Sequence, residues 1–151
     1  TGNNADLDDD NDGFSDIDEE EAGTNPLNAS SCPGCFTWDI DADGDVKPLT
    51  DGILVIRYLF DLSGDSLTAG AVGGTAQRTS AEDIMAYLSD AESELDIDGD
   101  SEAKPLTDGI LLVRGLFGLS GESLTSGAIG NGAKRATPDA VSAYIKQRMS
   151  L

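Results

Sequence analysis

Two stretches of this chain are apolar on nearly every side, Ile53 to Leu62 and Ile110 to Leu119, with Arg57 and Arg114 as the exceptions. A segment apolar all round predicts a deeply buried helix. Thr50 or Asp51 precedes the first and Thr107 or Asp108 the second, side chains suited to capping a helix start. Ser63-Gly64 and Ser120-Gly121 follow and are expected to end each helix. Gly- and Ala-rich connections come next, residues 64–78 and 121–135, closing on Arg78 and Arg135. Within the first, Gly70-Ala71-Val72-Gly73-Gly74 lacks the Lys-Ser/Thr of a phosphate loop and reads as a connector. A second helix is predicted from Thr79 or Ser80 to about Ser89. Its copy opens at Thr137 with Pro138 in the first turn, a favoured place for proline. Tyr87 and Tyr144 fall at matched positions on these helices and are expected to pack in the core.

The pattern is one unit written twice. Residues 39–88 and 96–145 align at an offset of 57 with 28 of 50 positions identical. Lys47-Pro48-Leu49-Thr50-Asp51-Gly52-Ile53-Leu54 returns unchanged as Lys104-Pro105-Leu106-Thr107-Asp108-Gly109-Ile110-Leu111. A duplication this close predicts two similar substructures, related by a local two-fold. The expected fold class is mainly α with long loops, built on duplicated loop–helix units.

The polar stretches before these helices are acidic in a particular way. Asp8, Asp10, Asp12, Gly13, Asp16 and Glu19 occupy positions 1, 3, 5, 6, 9 and 12 of a twelve-residue loop. Calcium takes six to eight oxygens, and an EF-hand loop supplies them from positions 1, 3, 5, 7, 9 and 12, with Gly at 6 for the sharp turn. Phe14 at position 7 would contribute its backbone carbonyl and Glu19 would close the site bidentately. Asp39, Asp41, Asp43, Gly44, Asp45 and Asp51 form a second stretch, and Asp96, Asp98, Asp100, Glu102 and Asp108 a third. Asp45 at position 7 could offer its carbonyl or its carboxylate. In both repeats the last acid stands at position 13, not 12, so the loop must bulge by one residue near Pro48. Ser101 replaces glycine at position 6 of the third loop, where positive φ carries a modest cost for a side chain. That loop is therefore expected to bind most weakly. The expected cofactor is calcium, about three ions, one for each loop.

Charge points the same way. The chain carries 29 acids, 9 bases and no histidine, a net charge of −20. Residues 1–46 hold 14 of the acids and no Lys or Arg, a segment that repels itself unless cations fill it. Nucleic acid is excluded as a partner, because binding it needs clustered Lys and Arg. Acidity alone, in a disordered tail or a salt-adapted surface, would not set Gly13 and Glu19 at fixed offsets from alternating aspartates. No stretch approaches the ~20 apolar residues of a membrane span and no signal peptide is found, so residue 1 is expected to begin a mature domain or an excised piece. With eight aromatic residues the core is thin, and metal binding is expected to contribute to folding.

Cys32-Pro33-Gly34-Cys35 has the Pro-Gly pair of a type II turn, which brings its ends near the separation a disulfide tolerates. A structural disulfide in an oxidising compartment is favoured. A catalytic redox pair would need a βαβ context that is absent, and two thiolates without histidine make half a zinc site.

Residues 6–30, with Asp8-Asp9-Asp10-Asn11-Asp12-Gly13-Phe14-Ser15-Asp16 and Gly23-Thr24-Asn25-Pro26, resemble a bacterial thrombospondin type 3 repeat. Residues 39–145 resemble a tandem dockerin-type unit, carried by Asp39, Asp41, Asp43, Gly44, then Asp51 leading a helix with Arg57. The resemblance implies a repeat at 1–31, a linker at 32–38 and a dockerin-like pair at 39–151. It further implies a secreted or cell-surface calcium module that attaches to a cohesin-like protein domain. The repeat is longer than a usual dockerin segment, and Lys47 stands at position 9 where a ligand is usual.

Three functions follow as expectations. The first is a non-catalytic binding module whose calcium-ordered loops present a protein-binding surface. The second is a calcium-rigidified spacer or terminal cap without a specific partner. Catalysis is the weakest, since the acids stand at metal-ligand spacing with no histidine and no Gly-x-Ser-x-Gly elbow, and no small-molecule substrate is expected. An exposed apolar patch on the paired helices would favour the first over the second.

Overall fold

The computed structural model describes residue 8, residues 13–22, residue 27 and residues 36–149. Cys32 and Cys35, Asp10 and Asp12 lie outside these. Helix α1, Asp16–Ala22, opens after Ser15, whose Oγ accepts from the Asp18 N–H at 3.2 Å. Its first turn holds Asp16, Asp18 and Glu19, acids that suit the positive end of the helix dipole.

The first unit comprises a π-helical turn, Pro48–Gly52, running into α2, Ile53–Leu59, then α3, Asp65–Thr68, and α4, Ala81–Asp90. A 3₁₀ turn, Glu92–Leu95, leads to the second unit: a π turn at Pro105–Gly109, α5 at Ile110–Leu116, α6 at Glu122–Thr125 and α7 at Pro138–Lys146. Among the described residues there is no strand, and the architecture is the mainly helical, loop-rich duplicate that the pattern predicts. Ser80 and Thr137 cap α4 and α7, accepting from the Asp83 and Ala140 N–H groups.

Three details differ from expectation. The first helix of each unit stops at Leu59 or Leu116, short of the Ser-Gly pair. Asp61 and Gly118 take left-handed φ values of 63° and 83°, and Leu62 N–H reaches back to the Arg57 carbonyl at 3.0 Å, a Schellman stop. Burial of these helices is one-sided. Leu54, Val55, Leu111 and Leu112 are buried, but Phe60 and Phe117 are 51% and 56% exposed. Finally, neither Thr50 nor Asp51 caps α2; Asp51 turns inward to the acidic loop instead. The π turn absorbs the extra residue, with Gly52 N–H bonded five residues back to the Lys47 carbonyl at 3.2 Å.

The units meet reciprocally through these turns. A methyl group on Gly52 would sit 3.1 Å from Val113 Cγ2, and one on Gly109 would sit 2.8 Å from Ile56 Cγ1. Each glycine thus lets the opposite first helix approach closely. Phe36 and Trp38, in the span read as linker, belong to the core. Trp38 donates from its backbone N–H to the Arg148 carbonyl at 2.9 Å and from Nε1 to the Ile145 carbonyl at 3.1 Å. The entry to the first unit is thereby tied to the end of the second.

Candidate metal centres

Each acidic loop is shaped by carboxylates accepting from the backbone around them. Asp39 Oδ1 accepts from Asp43 N–H and its Oδ2 from Gly44 N–H at 3.0 Å. Asp41 Oδ1 accepts from Asp43 N–H, and Asp43 Oδ1 from Asp45 N–H. Asp51 brackets the loop from beneath: Oδ1 accepts from Ile40 N–H at 2.6 Å and Oδ2 from Lys47 N–H at 2.8 Å. The second loop repeats this with Asp108, which accepts from Ile97 N–H at 2.6 Å and Lys104 N–H at 2.9 Å. One carboxylate thus fixes both ends of its loop, which is why the acid at position 13, with its π turn, stands where position 12 is usual.

Position 6 behaves alike in all three loops. Gly13, Gly44 and Ser101 have φ of 98°, 94° and 77°. Their N–H groups donate five residues back, to Asp8, Asp39 and Asp96 at 3.0, 3.0 and 2.9 Å. Ser101 does take the left-handed conformation expected to cost it stability. In the first loop Glu19 is fully buried while Phe14 is 38% exposed, and Asp16 opens α1.

The repeat loops gather Asp39, Asp41, Asp43 and Asp51 in one group and Asp96, Asp98, Asp100 and Asp108 in another. In each group one oxygen from every residue lies within 4.8 Å of the others. Asp41, Asp51, Asp98 and Asp108 have no exposed surface. Burial raises the Asp51 carboxyl to about 6, partly offset by the N–H groups it accepts from, and the Asp41 charge adds to the rise. Asp108 likewise stands at about 6, mainly through burial. Asp41 is raised by burial and by its Asp43 and Asp39 neighbours, and Asp96 by burial. Asp43 is lowered, chiefly by the Asp45 N–H and also by Lys47.

Two of the expected residues bring no carboxylate to these groups. The Asp45 carboxylate is exposed and lies 3.6 Å from Lys47 Nζ; that of Glu102 is exposed and paired with Lys104. Their side chains point outward at the rim, which leaves position 7 only its carbonyl to offer. Lys47 also reaches Asp43 Oδ2 at 3.1 Å.

Sequence reading missed the far wall. Gly73 N–H donates to Asp41 Oδ2 at 2.6 Å and Gly130 N–H to Asp98 Oδ2 at 2.7 Å. Arg78 Nη1 donates to the Ile40 carbonyl at 2.6 Å and lies over the Tyr87 ring at 3.7 Å. Arg135 repeats this with Ile97 and Tyr144. A signal was available: along 72–80 only Gly73, Ala76 and Arg78 are identical in the second copy.

The groups suit a divalent calcium-like ion. Ligand–ion distances of roughly 2.3–2.6 Å put any two oxygens on one ion within about 5 Å, a limit the 4.8 Å spread meets. The donors are all hard oxygens, with no nitrogen or sulfur to select zinc.

These features define a class: helical, duplicated, with two four-carboxylate loops, two acids buried in each, able to hold calcium. Residues 8–29 match the family model of the bacterial TSP3 repeat, a structural calcium-binding repeat that is not catalytic. Such repeats occur in extracellular proteins. No dockerin, EF-hand or enzyme family matches. Neither a curated protein nor a solved structure matches the chain. Among the described residues no helix is long and apolar enough to cross a membrane.

Proposed function

We propose that this chain is an extracellular, non-catalytic calcium module that attaches its parent protein to another protein, in the manner of a dockerin. The carrying observation is the pair of four-aspartate groups, each drawn together by buried backbone hydrogen bonds. Asp39, Asp41, Asp43 and Asp51 would hold one ion and Asp96, Asp98, Asp100 and Asp108 another. Asp8, Asp10, Asp12, Phe14, Asp16 and Glu19 would hold a third. A bound ion supplies positive charge against carboxylates whose mutual repulsion at a few ångströms amounts to a few kcal/mol. The chain's own residues do the rest: Asp51 and Asp108 tie each loop to the turn that launches α2 or α5, so ordering the loop seats the helix.

Attachment is favoured over a passive spacer by apolar side chains exposed at matched positions. Leu49 and Leu106, Phe60 and Phe117, Leu62 and Leu119 are 38–66% exposed, twice over. A spacer would bury them. The cohesin-like partner comes from the resemblance of the loops, and the spacer reading keeps its support for residues 8–29, which match a structural repeat.

Calorimetric titration of the chelator-stripped chain is expected to find about three calcium sites with a gain of helix in circular dichroism. Asp12→Ala, Asp41→Ala and Asp98→Ala should each weaken their own site. Absence of binding would sink the proposal. Calcium binding without capture of an immobilised cohesin-like domain would leave the spacer.

A further inference from the structure

We propose that Gly73 and Gly130 are positioning residues through which the connecting arms, residues 64–78 and 121–135, close over the carboxylate groups, making arm docking and cation binding one coupled event. The proposal rests on the calcium reading above and extends it to a part of the chain outside the loops.

Both arms meet their loops at one point. The Gly73 N–H donates to Asp41 Oδ2, on a carboxylate whose other oxygen accepts from the Asp43 N–H. A Cβ on Gly73 would lie 2.5 Å from Asp43 Oδ2 and 3.1 Å from Asp41 Oδ2. At Gly130 it would overlap Asp100 Oδ2 and lie 3.1 Å from Asp98 Oδ2. Contacts under about 3 Å with a carboxylate of the group cannot be relieved without moving that carboxylate or the arm. Neither glycine has the left-handed φ that would itself demand glycine. Proximity alone therefore sets the demand for glycine, because a side chain must displace a carboxylate of the group.

The neighbouring position supplies the contrast. A Cβ on Gly74 meets nothing within 4 Å, and its counterpart in the second unit is Asn131. The chain already accepts a side chain one residue along, where the arm has turned away from the loop.

Docking extends beyond the glycine. Arg78 N–H donates to the Asp41 carbonyl at 2.9 Å and Gln77 N–H to the Ala42 carbonyl at 3.2 Å. The second arm does the same from Arg135 to Asp98 at 2.8 Å and Lys134 to Gly99 at 3.2 Å. The Arg78 guanidinium then links the Ile40 carbonyl to the Tyr87 ring on α4. Whatever holds Asp41 and Asp43 in place holds the arm, and by linkage an arm that cannot dock weakens whatever those carboxylates bind.

The test uses the full chain, stripped with chelator, as wild type, Gly73→Ala, Gly130→Ala and Gly74→Ala. Calcium is titrated calorimetrically, and hydrogen exchange of the amides at 73, 77 and 78 is followed with and without calcium. Wild type should gain protection at these amides on adding calcium. Gly73→Ala should lose that gain and weaken one site by on the order of tenfold, leaving the 121–135 arm as it was. Gly130→Ala should do the reverse, and Gly74→Ala should match wild type. Should Gly73→Ala lose helicity, Asp43→Ala, which leaves the arm its glycine but takes a carboxylate from the group, is expected to lose the protection gained at 73, 77 and 78 at calcium levels that saturate wild type. Wild-type protection in Asp43→Ala with its first-repeat site weakened would overturn the proposal. If wild type binds calcium and Gly73→Ala titrates identically, the inference fails while the calcium reading stands. If wild type binds no calcium but Gly73→Ala still unlatches its arm, the calcium reading and the coupling fail together, leaving a purely structural contact.

Discussion

At loop position 6 the first unit has Gly44 and the second Ser101, yet both take the same left-handed turn and donate to the first aspartate at 3.0 and 2.9 Å. At the opposite corner the units diverge much more. The Tyr87 hydroxyl meets both the N–H and carbonyl of Thr37. In the second unit Glu94 stands in place of Thr37, and its buried carboxylate meets Arg148 Nε at 3.0 Å. Arg148 lies over the Tyr144 ring at 3.7 Å, where the first unit has Ala91. The backbone hydrogen bonds to Asp41, Asp43 and Asp51 thus return at Asp98, Asp100 and Asp108, while the larger variation falls at the tyrosine corner. The buried ion pair is a private feature of the second unit, beside the Trp38 contact that joins the chain's two ends.

The largest expected asymmetry comes from that pair. Arg148→Met leaves Glu94 buried without its counter-charge and, at about pH 9 where that carboxyl is ionised in wild type, should cost about 3–5 kcal/mol, read as a drop in the denaturant midpoint. Glu94→Leu/Arg148→Met should recover most of it. A small loss for the single variant would mean the pair is solvated and the units are alike at this corner.

Next comes pH. Burial holds Glu94 at about 7 despite Arg148, and Asp51 and Asp108 at about 6. Groups raised in the folded state favour folding when protonated, so their contribution is full below about pH 4 and is lost as pH rises through 6 to 7. Metal-free protein should accordingly melt several degrees lower at pH 8 than at pH 5, and Glu94→Gln should remove the upper part of that change. Calcium affinity should rise over the same window. A melting temperature that climbs from pH 5 to 8 without metal would contradict this.

Ser101→Gly removes a left-handed side chain, a relief of about 1 kcal/mol. It should tighten the second repeat site several-fold toward the first, with Gly44→Ser doing the opposite; calorimetry resolves both. Smallest is Lys47→Gln. The Lys47 ammonium sits on Asp43 Oδ2, where solvent screens its charge, and its removal should raise first-repeat affinity slightly. Lys104 pairs with Glu102 at the rim, so Lys104→Gln should change less.

The duplication, the mainly helical class, the caps at Ser80 and Thr137 and the spacing of Asp39, Asp41 and Asp43 were all legible in the sequence. Each depends on short-range chemistry: an alternating carboxylate reaches the next turn's N–H groups whatever surrounds it. Asp51 was legible as a member of the acidic group but not as a bracket, because its apparent role as a helix cap competes locally with a loop that only folding brings near. Gly118 at the end of α5 hinted at the early helix stop, and Asp61 in the first copy masked it. The exposed faces of α2 and α5 could not be read from an all-apolar stretch, since which side is covered depends on the other unit crossing at Gly52 and Gly109. Tertiary structure alone decided that Gly73 and Gly130, 32 residues from their carboxylates, form the far wall. Contacts across that distance depend on where the intervening helices send the chain. A sequence records its local hydrogen bonds in spacing, but leaves such closures only as a glycine that its copy also keeps.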